Sequence, residues 1–204
     1  QDDNIVFDFH HATAMGSTNK PLTGKRIVVD PGHGGNSIGT SGGNTSEKAE
    51  VLKYGLLLRD KLTALGATVI MTRTTDVNPD HALSPPSLYA RTNHARNGKA
   101  DLFISIHMDG ANNASARGYT VFYFNEYSQP FANTIKNRVE TVYKNAAGIS
   151  GRGVRFAPFS VMRVHDCPAI LIECGFMTNA RDLELLISTA YRENFTKAMA
   201  DGIV

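Results

Sequence analysis

Four side chains in this sequence, far apart along the chain, have the types needed for one piece of hydrolytic chemistry. His33 lies in Asp30-Pro31-Gly32-His33-Gly34-Gly35, directly after an apolar β-branched run from Arg26 to Asp30. His107 follows a second such run, in Ser105-Ile106-His107-Met108-Asp109, and Glu173 ends a third, in Ile172-Glu173-Cys174-Gly175-Phe176. Glu47 opens a helical stretch after a loop in which six of the twelve residues from Gly32 to Gly43 are glycine. Two imidazoles and a carboxylate from separate elements make the three-ligand set of a catalytic zinc site, which keeps one position open for water. Zinc lowers the pKa of such a water from about 15.7 to about 7 and polarises a carbonyl, while a carboxylate that is not a ligand shuttles protons. Glu173 suits the second role, because an ionisable group at the end of an apolar strand is costly to bury unless it has a partner or a task.

Each residue also has an ordinary explanation. Asn44-Thr45-Ser46-Glu47 reads as a helix start, with Glu47 favourable in the first turn through capping and the helix dipole. His33 fits a loop, His107 fits a satisfied histidine at a strand end, and Glu173 could pair with a structural arginine such as Arg163. Their common placement at one sheet edge brings the two readings level. Competing motifs are weaker. Gly34 to Thr40 (GGNSIGT) has Thr where a phosphate-binding loop needs Lys, and GxGxxG fails at Ser37. Gly39-Thr40-Ser41-Gly42-Gly43 matches the GxSxG nucleophile elbow, with His165 and Asp166 as paper partners, but Ser41 is too far from the preceding strand for a strand-to-helix turn.

The elements that must position these residues follow from periodicity. Residues 26–30, 67–72, 101–106, 119–124 and 169–173 are apolar runs expected of strands covered on both faces. Helical patterning occupies 47–65, where Gly66 supplies the stop, then 86–96, 130–143, 180–187 and 191–203. This alternation predicts an α/β fold: a single domain with a twisted, mostly parallel central sheet of about six strands and helices on both faces. In such a sheet, ligands bind outside the carboxyl ends of the strands, where the four residues lie. Residues 1–24 read as a leader or linker, with Ile5-Val6-Phe7 as a possible edge strand, and residues 25–204 as the catalytic domain.

Composition narrows the function classes. A chain of 204 residues, 42% hydrophobic and 20% charged, has the make-up of a globular domain, and a net charge of +2 without a basic block argues against nucleic-acid binding. No apolar run approaches the roughly 20 residues of a membrane-spanning helix, so membrane insertion is not expected. The sequence opens on Gln1 without an initiator Met or a secretory pattern, as expected of a chain numbered after a removed signal, which points toward export. Cys167 and Cys174 flank a strand-like run; at about 3.3 Å per residue they would lie about 20 Å apart, too far for a disulfide.

In combination these stretches resemble the zinc-dependent N-acetylmuramoyl-L-alanine amidases of the type often called amidase 3. The resemblance rests on Ile27 to Gly35 (IVVDPGHGG), Glu47-Lys48, Met71-Thr72-Arg73, Leu88 to His107 with Arg91, Arg117-Gly118-Tyr119, and Ala169 to Asn179 (AILIECGFMTN), and covers about Lys25 to Val204. It implies one Zn2+ held by His33, Glu47 and His107, with Glu173 as catalytic carboxylate. It also implies hydrolysis of the amide between the lactyl group of N-acetylmuramic acid and the L-alanine of the stem peptide. Peptidoglycan or muropeptides would then be the substrate, in the periplasm or outside the cell, and a monomer is expected. Ser37 and Thr40 stand where the family usually has Asp and Ala, which bears on the loop around the ligands. Some members carry an inserted helix that blocks the site until a regulatory protein binds. The interval from His107 to Glu173 holds a strand, a helix and a glycine-rich connection, so no built-in plug is expected. The alternatives are a zinc peptidase cutting within the stem peptide and an inactive wall-binding module.

Overall fold

The computed structural model describes residues 19–82, 87–163 and 167–204; for His81 and Ala82 it describes the backbone alone. The proposed strand at Ile5-Val6-Phe7 and the paper partners His165 and Asp166 lie outside the described residues. The chain order is β1 (Arg26–Pro31), β2 (Ser41–Gly42), β3 (Thr45–Ser46), α1 (Glu47–Ala64), β4 (Thr68–Met71), α2 (Tyr89–Gly98) and β5 (Leu102–Asp109). It continues with β6 (Thr120–Tyr123), α3 (Gln129–Ala147), β7 (Val154–Phe156), β8 (Ala169–Phe176), α4 (Ala180–Ile187) and α5 (Thr189–Asp201).

Six strands form one sheet in the order β4-β1-β5-β8-β6-β7. The first four run parallel; β6 is antiparallel to β8, and β7 is parallel to β6. The expected mostly parallel α/β sheet is therefore present. Its sixth strand is β7, three partly or fully exposed residues at the sheet edge just after the glycine-rich connection. A segment that short and exposed leaves no apolar run to read. The other edge strand, β4, is also less covered than its apolar sequence suggests. Part of the glycine loop is itself structured, since β2 and β3 pair as an antiparallel hairpin.

Side-chain alternation divides the core in two. Ile27, Val29, Ile104, Ile106, Ile170, Ile172 and Cys174 pack on the face covered by α1, α3 and α5. Val28, Phe103, Ala169 and Leu171 face the other way, toward Ala95 of α2 and toward Val161 and Met162 of a short 3-10 turn. Cys174 lies in the larger core, and both cysteines are buried without a disulfide, as their expected separation implies. Leu22 also reaches the larger core, where its backbone N–H bonds Leu65 O at 3.0 Å.

The winding creates the crevice. From β1 the chain crosses through α1 on one face to β4, then returns through α2 on the other face to β5, which lies on the opposite side of β1. The carboxyl ends of β1 and β5 thus flank a topological switch point, the place where ligands bind in open α/β sheets. His33 follows β1, and His107 lies near the end of β5.

Candidate active site

Each candidate residue reaches the crevice for a local reason. Asp30 pairs in register with Ser105, and His107 pairs with Glu173, with an irregularity in the β5–β8 pairing just beyond His107. Glu47 is the first residue of α1, where the helix dipole favours a negative charge. Its side chain does not cap the helix, and Ser46 makes no side-chain capping bond either. The carboxylate turns inward instead: Oε2 accepts from Thr40 N–H at 2.8 Å and Oε1 from Met108 N–H at 3.0 Å. His33 has φ of 58°, a left-handed conformation uncommon for a residue other than glycine. Such strain costs about 1–3 kcal/mol and survives where surrounding structure fixes it.

The structure brings His33, Glu47 and His107 together, with one potential ligand atom from each within 4.8 Å of the others. Glu47 Oε1 lies 3.1 Å from His33 Nε2 and 2.9 Å from His107 Nδ1, and the two imidazoles meet edge to face at 4.9 Å between centroids. Neighbouring glycines leave room for these groups. A Cβ on Gly32 would overlap the His107 ring, and one on Gly39 would overlap the Glu47 carboxylate. Burial opposes the charge on Glu47, which is 3% exposed, but hydrogen bonds from His107 and His33 prevail and hold its carboxyl well below the usual range. Two imidazoles and an ionised carboxylate, convergent and close, can hold a metal ion.

Glu173 stands beside His107 on the adjacent strand, and its Oε2 is buried with no hydrogen-bond partner among the described residues. Burial, then the negative charges of Glu47 and Asp109, push its carboxyl well above the usual range. Arg163 does not neutralise it: that guanidinium lies over Phe124 and donates to Pro158 O. A buried acceptor at the wall of a cleft, next to three candidate ligands, is the arrangement expected of a proton-transfer group. A cavity of about 430 Å³ opens there and includes His33, His107 and Glu173 in its lining. The competing nucleophile Ser41 is exposed in the β2–β3 hairpin and lies on no strand-to-helix turn.

Sequence reasoning named no role for the groups that hold this arrangement. Asp30 is fully buried and accepts from Thr72 Oγ1 at 2.6 Å, Ser105 Oγ at 2.7 Å and Arg91 Nη1 at 2.9 Å. Arg91 also donates to Pro31 O, to His33 O at 2.7 Å and to Asp80 Oδ1 at 2.8 Å. Arg73 donates to Pro31 O, Gly32 O and Lys48 O. The two guanidiniums therefore bind the carbonyls of Pro31, Gly32 and His33, which fixes the strained turn. A signal existed in the pattern: Arg91 lies between Ala90 and Ala95 on the helix face that α2 buries.

Ser37, one of the two departures in the loop, acts on a candidate ligand, since its Oγ lies 3.0 Å from His33 Nδ1. Such partners orient a ligand imidazole and select its tautomer. Ser37→Ala is expected to weaken metal affinity by about tenfold or more with little change in thermal stability. Metal titration alongside a melting curve checks this, and unchanged affinity would refute the orienting role.

With this geometry in view, the sequence profile of the N-acetylmuramoyl-L-alanine amidases matches residues 27–204. The probable cell wall amidase LytH of Staphylococcus epidermidis is 34% identical over 191 residues, covering 91% of this chain. The chain spans 60% of that relative's length. Among solved structures, the amidase AmiC2 of Nostoc punctiforme superposes with a TM-score of 0.78 at 31% identity, over 88% of this chain and 94% of that one. The catalytic domain of the amidase CwlV from Paenibacillus polymyxa gives 0.76 at 30% identity, over 88% and 96%.

Proposed function

Because the chain belongs to the N-acetylmuramoyl-L-alanine amidase family, we propose that it cuts the amide between the lactyl group of N-acetylmuramic acid and the L-alanine of the stem peptide. One zinc ion would be held by His33, Glu47 and His107, and Glu173 is the catalytic carboxylate. The observation that carries this reading is the buried Oε2 of Glu173, unpartnered among the described residues, beside three convergent ligand groups. When bound there, zinc supplies Lewis acidity toward the scissile carbonyl and acidifies a water molecule.

The protein's own residues do the rest. Glu47 provides the anionic ligand, fixed by two backbone N–H donors, and Ser37 orients His33. Glu173 accepts the proton of the attacking water and delivers it to the amide nitrogen as the C–N bond breaks. The products are a carboxylate on the lactyl group and a free amine on L-alanine. Residues 25–204 form the catalytic domain, acting as a monomer on peptidoglycan in the cell envelope, periplasmic or secreted. In this reading α3 is not a built-in plug: the helix between His107 and Glu173 packs against the core on the opposite face of the sheet from Leu171 and the cavity.

Chelation tests the reading. EDTA is expected to abolish release of stem peptides from murein, and added zinc to restore it. Indifference to EDTA would favour a serine hydrolase, and inactivity with zinc present a wall-binding module.

A further inference from the structure

We infer that the cavity beyond Glu173 binds the muramyl sugar, so that substrate lies along β8 with its uncharged half toward Phe159 and its carboxylate-bearing peptide toward Arg152. This rests on the amidase reading and adds an orientation to it. Away from the candidate ligands, Leu88, Pro158, Phe159, Val161 and Leu171 form the apolar part of the cavity wall, with Ser37, Asp80, Arg91 and Ser160 as its polar part. Among the described lining residues the cation is Arg91, and its guanidinium is engaged by Asp30 and Asp80. A carboxylate entering this space would lose water and gain no positive partner. A neutral pyranose keeps its hydroxyls toward the open mouth and sets its apolar face on the wall. The volume, about 430 Å³, is in the range of small-ligand pockets with apolar walls and a few polar groups. Phe159 is 41% exposed and is held edge-on by Phe122 at 5.2 Å, so it offers a supported aromatic surface.

The other end differs. Phe176, three residues beyond Glu173 on the same strand, carries the Arg152 guanidinium 5.3 Å above its ring, and Arg152 is exposed. Asp109 shares this end, where its Oδ1 accepts from Gly110 N–H. From Leu171 to Phe176 the strand rises about 16 Å, enough to separate a sugar from the second residue of a peptide. Arg152, exposed and with Asp109 beside it, is less neutralised than Arg91 between Asp30 and Asp80, and this difference sorts the two halves of the substrate.

Two substrates with the same scissile bond test this: N-acetylmuramyl-L-alanyl-D-glutamate and sugar-free N-lactyl-L-alanyl-D-glutamate, cut by the zinc-loaded protein. Phe159→Ala is expected to lower kcat/KM about tenfold on the first and leave the second unchanged. Phe159→Tyr is expected to retain the wild-type preference, and Arg152→Ala to lower both rates in parallel. If Phe159→Ala does not fold, Leu88→Ser replaces it with the same expected pattern. An equal loss on both substrates, or no loss on either, would overturn the sugar assignment. Unequal losses for Arg152→Ala would overturn the orientation. If the wild type cuts neither substrate, the amidase reading fails. The cavity is then tested by titration with N-acetylmuramic acid: binding weakened by Phe159→Ala supports the sugar site, and absence of binding overturns it.

Discussion

Glu173→Gln is expected to lower amide hydrolysis by about 10²–10⁴-fold while leaving the metal affinity close to wild type. The amide is nearly isosteric with the acid but cannot take a proton from water and pass it to the leaving nitrogen. Glu173 is not among the three convergent ligand groups, so its loss removes no donor from them. Among the described residues its Oε2 has no hydrogen-bond partner, and its carboxyl is pushed up by burial and by Glu47 and Asp109, so the wild-type acid makes no ion pair there that Gln would break. The melting temperature should therefore hold or rise. Full activity in the variant would remove Glu173 from the mechanism, and a collapse of the fold would assign it a structural role instead.

Asp30→Asn is expected to give the larger loss of stability. It removes the buried countercharge of Arg91, whose side chain is 3% exposed, and breaking such a pair is costly because one charge is left behind. Asp80 still faces the same guanidinium, so the low end of the usual range applies, about 3 kcal/mol. For a chain of this size that corresponds to roughly 6–12 °C in Tm. Burial raises the Asp30 carboxyl, but Arg91 and the hydrogen bonds from Ser105 and Thr72 prevail and hold it below its ordinary value of 3.8. A depressed folded-state pKa stabilises the protein above the unfolded value and loses that contribution as pH falls through the folded value. Acidification below about pH 4 should thus narrow the Tm gap between wild type and variant. Because Arg91 also holds His33 O, metal affinity should fall together with stability. A variant that melts like the wild type at pH 7 would show that the ion pair is not what fixes the loop.

The sequence made the four candidate groups legible because each combines an unusual residue type with a strand end or helix start. His33, His107 and Glu173 follow apolar runs whose direction is set by a parallel sheet, and Glu47 begins a helix after a glycine loop. The supports were hidden because they depend on distance in space, not on position in an element. Arg73 and Arg91 reach the Pro31 to His33 carbonyls from 41 to 60 residues away. Ser37 appeared as a departure at a position that is not a ligand, and became meaningful when its Oγ lay beside His33 Nδ1. The strand β7 escaped notice because an exposed edge strand needs no apolar alternation, and Phe159 because an aromatic residue in a Pro-containing loop carries no periodicity at all.

The most direct measurement of the proposed chemistry is mass spectrometry of the products that the zinc-loaded protein releases from a defined muropeptide. The expected result is an intact stem peptide with a free L-alanine amine, together with a glycan whose lactyl groups are free carboxylates. Fragments cut within the stem peptide, with L-alanine still attached to the lactyl group, would contradict it.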